Sequence, residues 1–163
     1  MVDFDDKCQT YPPLVIVPKV MTDSEIQKCM EFREKGRLPV LRYILYENGE
    51  RKSSLWRSAQ CKSGLISTRC IEDEKLIKEI QKMTNSKKGV IYDCRSYLVA
   101  YANKINGKGF HCQSNYSDTS VIFGNMPNIH KVRTAHGQLI QKNYDSLNFY
   151  NNDSGWINFL QLI

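Results

Sequence analysis

The chain has 163 residues, 41% hydrophobic and 25% charged, with 23 basic against 17 acidic side chains and a net charge of +6. These proportions suit one globular domain and exclude a disordered or fibrous chain. No run reaches the ~18 apolar residues of a membrane span, and the acidic start Met1-Val2-Asp3-Phe4-Asp5-Asp6 lacks the apolar core of a secretory signal. A cytoplasmic setting is therefore expected. The positive surplus favours anionic partners, such as an acidic membrane surface or a phosphorylated ligand. Nucleic acid is not expected, because no basic stretch interleaves with aromatic residues.

Leu14-Val15-Ile16-Val17, between Pro13 and Pro18, reads as a short buried strand. Thr22-Asp23-Ser24-Glu25 has capping-box spacing, with Thr22 as N-cap and Glu25 three residues on. Ile26, Cys29, Met30 and Arg33 follow at helical spacing, and Gly36 supplies the stop. Val40 to Tyr46 is β-rich and runs into Asn48-Gly49, a pair that tolerates positive φ at both centres of a tight hairpin turn. The return strand is expected from Ser53 to Arg57.

A second helix is expected from Ile71 to Met83, with Glu72, Asp73 and Glu74 in its first turn and Lys78 and Lys82 later. Leu76, Ile77, Ile80 and Met83 form its apolar face, and Glu74 with Lys78 makes an i,i+4 ion pair. Gly89 to Asp93 reads as a strand leading into a helix from Ser96 to about Asn106. Ser120 to Phe123 is another strand. Val132, Ala135, His136, Leu139 and Ile140 mark a helix beginning near Asn128. A last helix starts near Asp153 or Ser154 and carries Trp156, Ile157, Leu160 and Ile163. Strands alternating with helices imply an α/β architecture, a sheet flanked by helices with the hairpin at one side.

Cysteines stand at 8, 29, 61, 70, 94 and 112, with no C-x-x-C among them. Without a secretory signal, six reduced thiols are expected. His111, His130 and His136 show no metal-ligand spacing, so neither a metal nor a cofactor is expected.

Several segments in order resemble the phosphatase domain of the myotubularin family. They are Thr10-Tyr11-Pro12-Pro13 with Ile16-Val17-Pro18-Lys19, the stretch FREKGRLPVL from Phe32 to Leu41, Glu47-Asn48, and Arg57-Ser58-Ala59-Gln60. They continue with Arg69-Cys70 before Glu72-Asp73-Glu74, Tyr92-Asp93-Cys94-Arg95, Ala102-Asn103-Lys104, Gly107-Lys108-Gly109, Asn128-Ile129-His130 and Ser154-Gly155-Trp156. The resemblance spans residues 8 to about 160. It implies the fold of cysteine-dependent phosphatases. It also implies removal of the 3-phosphate from phosphatidylinositol 3-phosphate and phosphatidylinositol 3,5-bisphosphate.

In such enzymes a thiolate attacks phosphorus, an arginine six residues later grips the phosphate oxygens, and backbone N–H groups cradle them. None of the arginines at 33, 37, 42, 51, 57, 69, 95 and 133 has a cysteine six positions before it. The pair His111-Cys112 is a decoy, since Asp118 stands where the arginine would be and no glycine lies between. Cys61 and Ser96 also replace prolines of the family pattern.

The expectation is thus residues 1–163 as a partial phosphatase domain. The family's PH-like module and catalytic Cys-x5-Arg half are absent, there are no catalytic residues, and the chain is inactive alone. The alternative is a non-catalytic, pseudophosphatase-like adaptor that engages intact relatives or anionic membrane. Carried over from the resemblance as substrate contacts are Asn103, Asn128 and Ile129, because an amide or a backbone N–H at a helix start can donate to inositol hydroxyls or phosphate oxygens. The plainer readings stay open beside these: Asn128 as a helix N-cap, Asn103 as a polar residue near a helix C-terminus. Phosphoinositide lipid would be the ligand, bound weakly without the phosphate loop, and the periphery of the endosomal membrane the place of work.

Overall fold

The computed structural model describes residues 8–84, 88–116, 118–141 and 154–161. In chain order the elements are α1 (Asp23–Phe32), β1 (Val40–Glu47), β2 (Glu50–Arg57), α2 (Ile71–Lys82), β3 (Gly89–Asp93), α3 (Tyr97–Ile105), β4 (Thr119–Phe123), α4 (Ile129–Gln141) and α5 (Trp156–Leu160). The fold is mixed α/β. Its sheets are small, one pairing β1 with β2 and one pairing β3 with β4. The chain forms two compact units, Met1–Ile91 with Tyr101–Val121, and Tyr92–Ala100 with Ile122–Ile163.

In the first unit, Cys8, Tyr11, Met21, Ile26, Cys29, Met30, Leu38, Val40 and Leu76 form the core, with Val15 and Val17 packed against it. The stretch Leu14 to Val17 is not a strand. It is extended, lends only the Ile16 carbonyl to the Leu41 N–H at 3.1 Å, and turns Leu14 and Ile16 to solvent. What anchors it is Tyr11, whose buried hydroxyl reaches the carbonyls of Leu38 at 3.0 Å and Arg57 at 3.1 Å. One phenol thereby ties the start of the chain to both ends of the hairpin.

Helix α1 opens on the expected capping box: Thr22 Oγ1 accepts from the Glu25 N–H, and the Glu25 carboxylate accepts from the Thr22 N–H at 2.9 Å. The same carboxylate takes Lys75 Nζ of α2 at 2.6 Å. The Lys75 bond, then the Thr22 N–H and hydroxyl, hold its pKa down to about 2 from an ordinary 4.5. A carboxyl depressed on folding contributes stability above its unfolded pKa and loses it as pH falls through the folded value. The fall of the melting midpoint between about pH 4.5 and 2 should therefore be shallower in Glu25→Gln than in wild type. Identical acid profiles would count against this, and added salt should shrink the difference, because the pair is partly exposed.

The first helix ends at Phe32, earlier than the spacing implied, because Arg33 turns out of the helix into extended backbone (φ −101°). Lys35 and Gly36 then take left-handed φ of 54° and 68° in a 3-10 turn, Glu34–Gly36. This sharp exit runs Phe32–Arg37 beside residues 59–62: Lys62 N–H donates to Phe32 at 2.8 Å, Glu34 N–H to Gln60 at 3.0 Å, and Ala59 N–H to Arg37 at 2.9 Å. The hairpin turn falls at Asn48-Gly49 as expected, with φ of 52° and 78°. Strand β2 begins at Glu50 rather than Ser53, because the tight turn lets pairing start at Glu47 with Glu50.

Helix α2 buries Leu76 and presents Asp73 to the interior. The expected Glu74–Lys78 pair does not form. Arg69 instead forks onto Glu74 with bonds of 2.9 and 2.7 Å, a bidentate geometry that a lysine cannot match. Gly89 N–H donates to the Asp118 carbonyl at 2.9 Å at one end of the β3–β4 pairing, and Gly124 N–H donates to Asp93 at 2.7 Å at the other. The two strands therefore run the same way, with α3 as the connection between them.

In the second unit Ser96 caps α3, its Oγ accepting from the Val99 N–H at 3.3 Å. Helix α4 buries Ala135 and Leu139, and His136 meets the Trp156 ring at 5.1 Å. Helix α5 is short and opens after Gly155 at φ 71°, with Ser154 Oγ accepting the Trp156 N–H at 3.2 Å. Asp153 and Ile163, expected in this helix, lie outside the described residues. No helix among the described residues is long and apolar enough to cross a membrane.

Candidate functional site

The residues carried over as substrate contacts fall in two places. Asn103 sits in the last turn of α3, half-buried, in the first unit. Its carbonyl accepts from both Asn106 and Lys108 N–H at 3.1 Å, closing the helix end while Gly107 takes φ 72°. Next to it, Lys104 Nζ donates to Ser67 Oγ at 3.0 Å and lies 5.1 Å from the Phe110 ring centre. Gly64 N–H reaches the Lys108 carbonyl at 3.1 Å. The Ala-Asn-Lys and Gly-Lys-Gly segments are thus stitched to residues 63–67, which fixes the backbone that carries Asn103.

Asn128 and Ile129 stand together at the start of α4 in the second unit. Asn128 Oδ1 accepts the Lys131 N–H at 3.1 Å, so the plainer reading of this residue, an N-cap, holds. That bond uses the oxygen and leaves the exposed amide's NH2 end able to donate. Ile129 is 76% exposed at the first helical position. The loop before them is held by a device the sequence pointed to only as a family string. Arg95 forks onto Asp93 with bonds of 2.9 and 2.6 Å, and the carbonyls of Asp93, Cys94 and Arg95 accept from Gly124, Met126 and Asn125 in turn. Asp93 and Arg95 thereby hold the loop, residues 124–126, that precedes Asn128.

The strongest polar cluster in the first unit has a different character. Arg33 and Asp73 are both fully buried and form a bidentate pair at 2.8 and 2.6 Å, with Arg33 Nη1 also donating to the Ala59 carbonyl at 3.0 Å. Tyr116 donates its hydroxyl to Asp73 at 2.9 Å, and burial, then the Asp73 charge, raises its pKa. His111 sits edge-on to the Tyr116 ring at 4.9 Å. Asp73 is thereby held by Arg33 and Tyr116 together, inside the unit. Sequence reasoning missed it; the one signal was an arginine at the boundary of an amphipathic helix.

Cys112 stands just before the 3-10 turn Gln113–Asn115. Its pKa is lowered by the Ser114 hydroxyl at 3.1 Å rather than by a guanidinium. Asp118, in left-handed backbone at φ 59°, is a carboxylate where phosphate chemistry needs a cation. Among the described residues no group of three or more His, Cys, Asp or Glu is arranged to hold a metal.

The family profile for a myotubularin-like phosphatase domain matches residues 3–163. The chain is 31% identical over 163 residues to phosphatidylinositol-3,5-bisphosphate 3-phosphatase MTMR8 of Gallus gallus, covering 96% of this chain and 25% of that protein. It is 34% identical over 163 residues to the MTMR6 enzyme of Homo sapiens, covering 96% and 26%. To the MTMR6 enzyme of Caenorhabditis elegans it is 37% identical over 134 residues, covering 82% and 19%. The chain spans about a quarter or less of the length of these curated relatives. On the profile match and the ordered motifs together, the chain belongs to the myotubularin-like phosphatase domain family.

Proposed function

We propose that these residues are the opening part of a phosphatase domain that removes the 3-phosphate from phosphatidylinositol 3-phosphate and phosphatidylinositol 3,5-bisphosphate, and that they are catalytically silent alone. The observation that carries the proposal is a family match over nearly the whole chain in a sequence with no cysteine six residues ahead of any arginine. In this reading Asn103, Asn128 and Ile129 face the lipid headgroup, and the nucleophile and the phosphate-gripping arginine come from elsewhere in the assembled enzyme. Work at the cytoplasmic face of endosomal membrane fits such a lipid substrate.

The test is a chimera in which residues 8–161 replace the matching segment of the human MTMR6 relative. It should release phosphate from short-chain phosphatidylinositol 3-phosphate. A hydrogen bond to a charged group is worth about 1.5–3 kcal/mol. Asn103→Ala and Asn128→Ala should therefore each lower kcat/KM by about 10–100-fold, beyond any shift in melting temperature. A folded but inert chimera, or variants at full activity, would overturn the reading.

The second reading is a non-catalytic adaptor that docks on an intact relative. It is favoured by exposed apolar side chains on α3, where Leu98, Tyr101 and Ile105 lie at helical spacing. Capture of the intact human relative by this chain, together with an inert chimera, would establish it.

A further inference from the structure

The turn that follows β3 is closed by its own side chains. Asp93 Oδ1 accepts the Arg95 backbone N–H at 3.0 Å and the Arg95 Nε at 2.9 Å, while Oδ2 takes Nη2 at 2.6 Å. The two side chains are 13% and 23% exposed, so solvent ions screen the pair only weakly. With the turn fixed, its three carbonyls meet three successive N–H groups of the segment leaving β4. Gly124 donates to Asp93 at 2.7 Å, Met126 to Cys94 at 2.8 Å and Asn125 to Arg95 at 3.3 Å. A Cβ at Gly124 would come within 2.5 Å of the Tyr92 ring, so only glycine lets the segment pass this close to the end of β3. Pro127 follows, with a ring-fixed φ and no N–H. One constrained residue therefore separates the last of these bonds from Asn128, the N-cap of α4. Both segments leave the carboxyl ends of parallel strands, the edge at which α/β sheets carry their ligand loops.

We propose that Asp93 and Arg95 are positioning residues for headgroup recognition: their fork fixes the 124–126 segment and, through Pro127, the exposed amide of Asn128 that meets the phosphoinositide. The inference rests on the proposed function above, in which Asn128 is a headgroup contact. Arg95 acts here by holding Asp93 rather than by gripping phosphate. Two parallel bonds from a planar guanidinium resist rotation of the turn, which a lysine's single ammonium does not. A hydrogen bond weakens steeply once its angle opens, so a shift of about 1 Å in the loop is enough to lose the Asn128 contact. Asn103 does not depend on the fork, because residues 63–67 stitch down the backbone that carries it.

The first arm of the experiment is amide hydrogen exchange on the full 163-residue chain. In Arg95→Gln the Gly124, Asn125 and Met126 N–H groups should exchange about 10-fold faster, with the amides of β1, β2 and α2 unchanged. The second arm is phosphate release from short-chain phosphatidylinositol 3-phosphate by the chimera described above, corrected for each variant's folded fraction. Arg95→Gln should lower kcat/KM by about 10-fold. Arg95→Lys, which keeps the charge and loses the fork, should lower it less. In an Asn128→Ala background the Arg95→Gln loss should vanish, because nothing is left to position, whereas in an Asn103→Ala background it should persist. A change that only weakens the fold would multiply with both. Should Arg95→Gln fail to fold, Arg95→Lys runs the same cycle. An inert unsubstituted chimera would overturn the reading beneath the inference, and the inference with it. An active chimera in which Arg95→Gln is silent, or in which its loss multiplies with that of Asn128→Ala, would overturn the inference alone.

Discussion

Arg33→Met, in an otherwise intact chain, should cost about 3–5 kcal/mol, enough to erase most of the margin of a domain with about 5–15 kcal/mol in hand. The size follows from burial. Arg33 and Asp73 have fully enclosed side chains, so removing the guanidinium leaves a carboxylate without its counter-charge in a low-dielectric interior. The surface pairs Lys28–Glu72 and Lys75–Glu25 have one partner roughly half exposed, so solvent and salt screen them and breaking either should cost far less. Asp73→Leu should be as damaging as Arg33→Met, since it strands the arginine instead. Tyr116→Phe removes one hydrogen bond to a charged group and should cost about 1.5–3 kcal/mol. The double change Arg33→Met with Asp73→Leu should recover part of the loss, because neither charge is then left alone. Denaturant melts of the four variants check this. Single variants within about 0.5 kcal/mol of wild type would contradict it.

That pair also shows where sequence reading stops. Features written in local sequence were legible: the Thr22–Glu25 box, the Asn48-Gly49 turn, the apolar stripe of α2 and the Gly89–Asp93 strand. Each is decided by residues within a few positions of one another. Features decided by distant partners were not. Arg33 looked like one more helical position, although its destination is a carboxylate 40 residues on. Leu14 to Val17 looked like a strand because four apolar residues stood in a row, yet among the described residues it has one backbone bond to a strand, from the Leu41 N–H to the Ile16 carbonyl, and no ladder. Glu74 had a lysine four residues ahead and an arginine five behind, and the guanidinium won by its two parallel bonds.

The candidate contacts divide in the same way. Asn128 was readable as a cap from its place before an amphipathic run, and it caps. A role in touching lipid rests on family resemblance, since no local pattern distinguishes a substrate amide from a capping one. The Asp93–Arg95 fork that holds its loop was visible as a string of residues but not as a device.

The chain should show no phosphatase activity by itself. A thiolate in the usual mechanism needs a cradle of N–H groups and a guanidinium on one tight loop, because nucleophile, donors and counter-charge must converge on a single tetrahedral group. Cys112, a partly accessible thiol of lowered pKa, has a hydroxyl beside it and a carboxylate six residues on. The Cys70 thiol donates to the Glu72 carboxylate at 3.6 Å, and Cys8, Cys29 and Cys61 are buried. Cys94 is exposed but has Ala100 six residues on. Losing a group that acts with others as one unit typically removes many orders of magnitude of rate. The measurement is phosphate release from short-chain phosphatidylinositol 3-phosphate and phosphatidylinositol 3,5-bisphosphate by the purified 163-residue chain under reducing conditions. Release equal to the buffer blank, unchanged in Cys112→Ser, is the predicted result. Turnover above the blank that disappears in Cys112→Ser would contradict the account, because it would make that thiol a nucleophile.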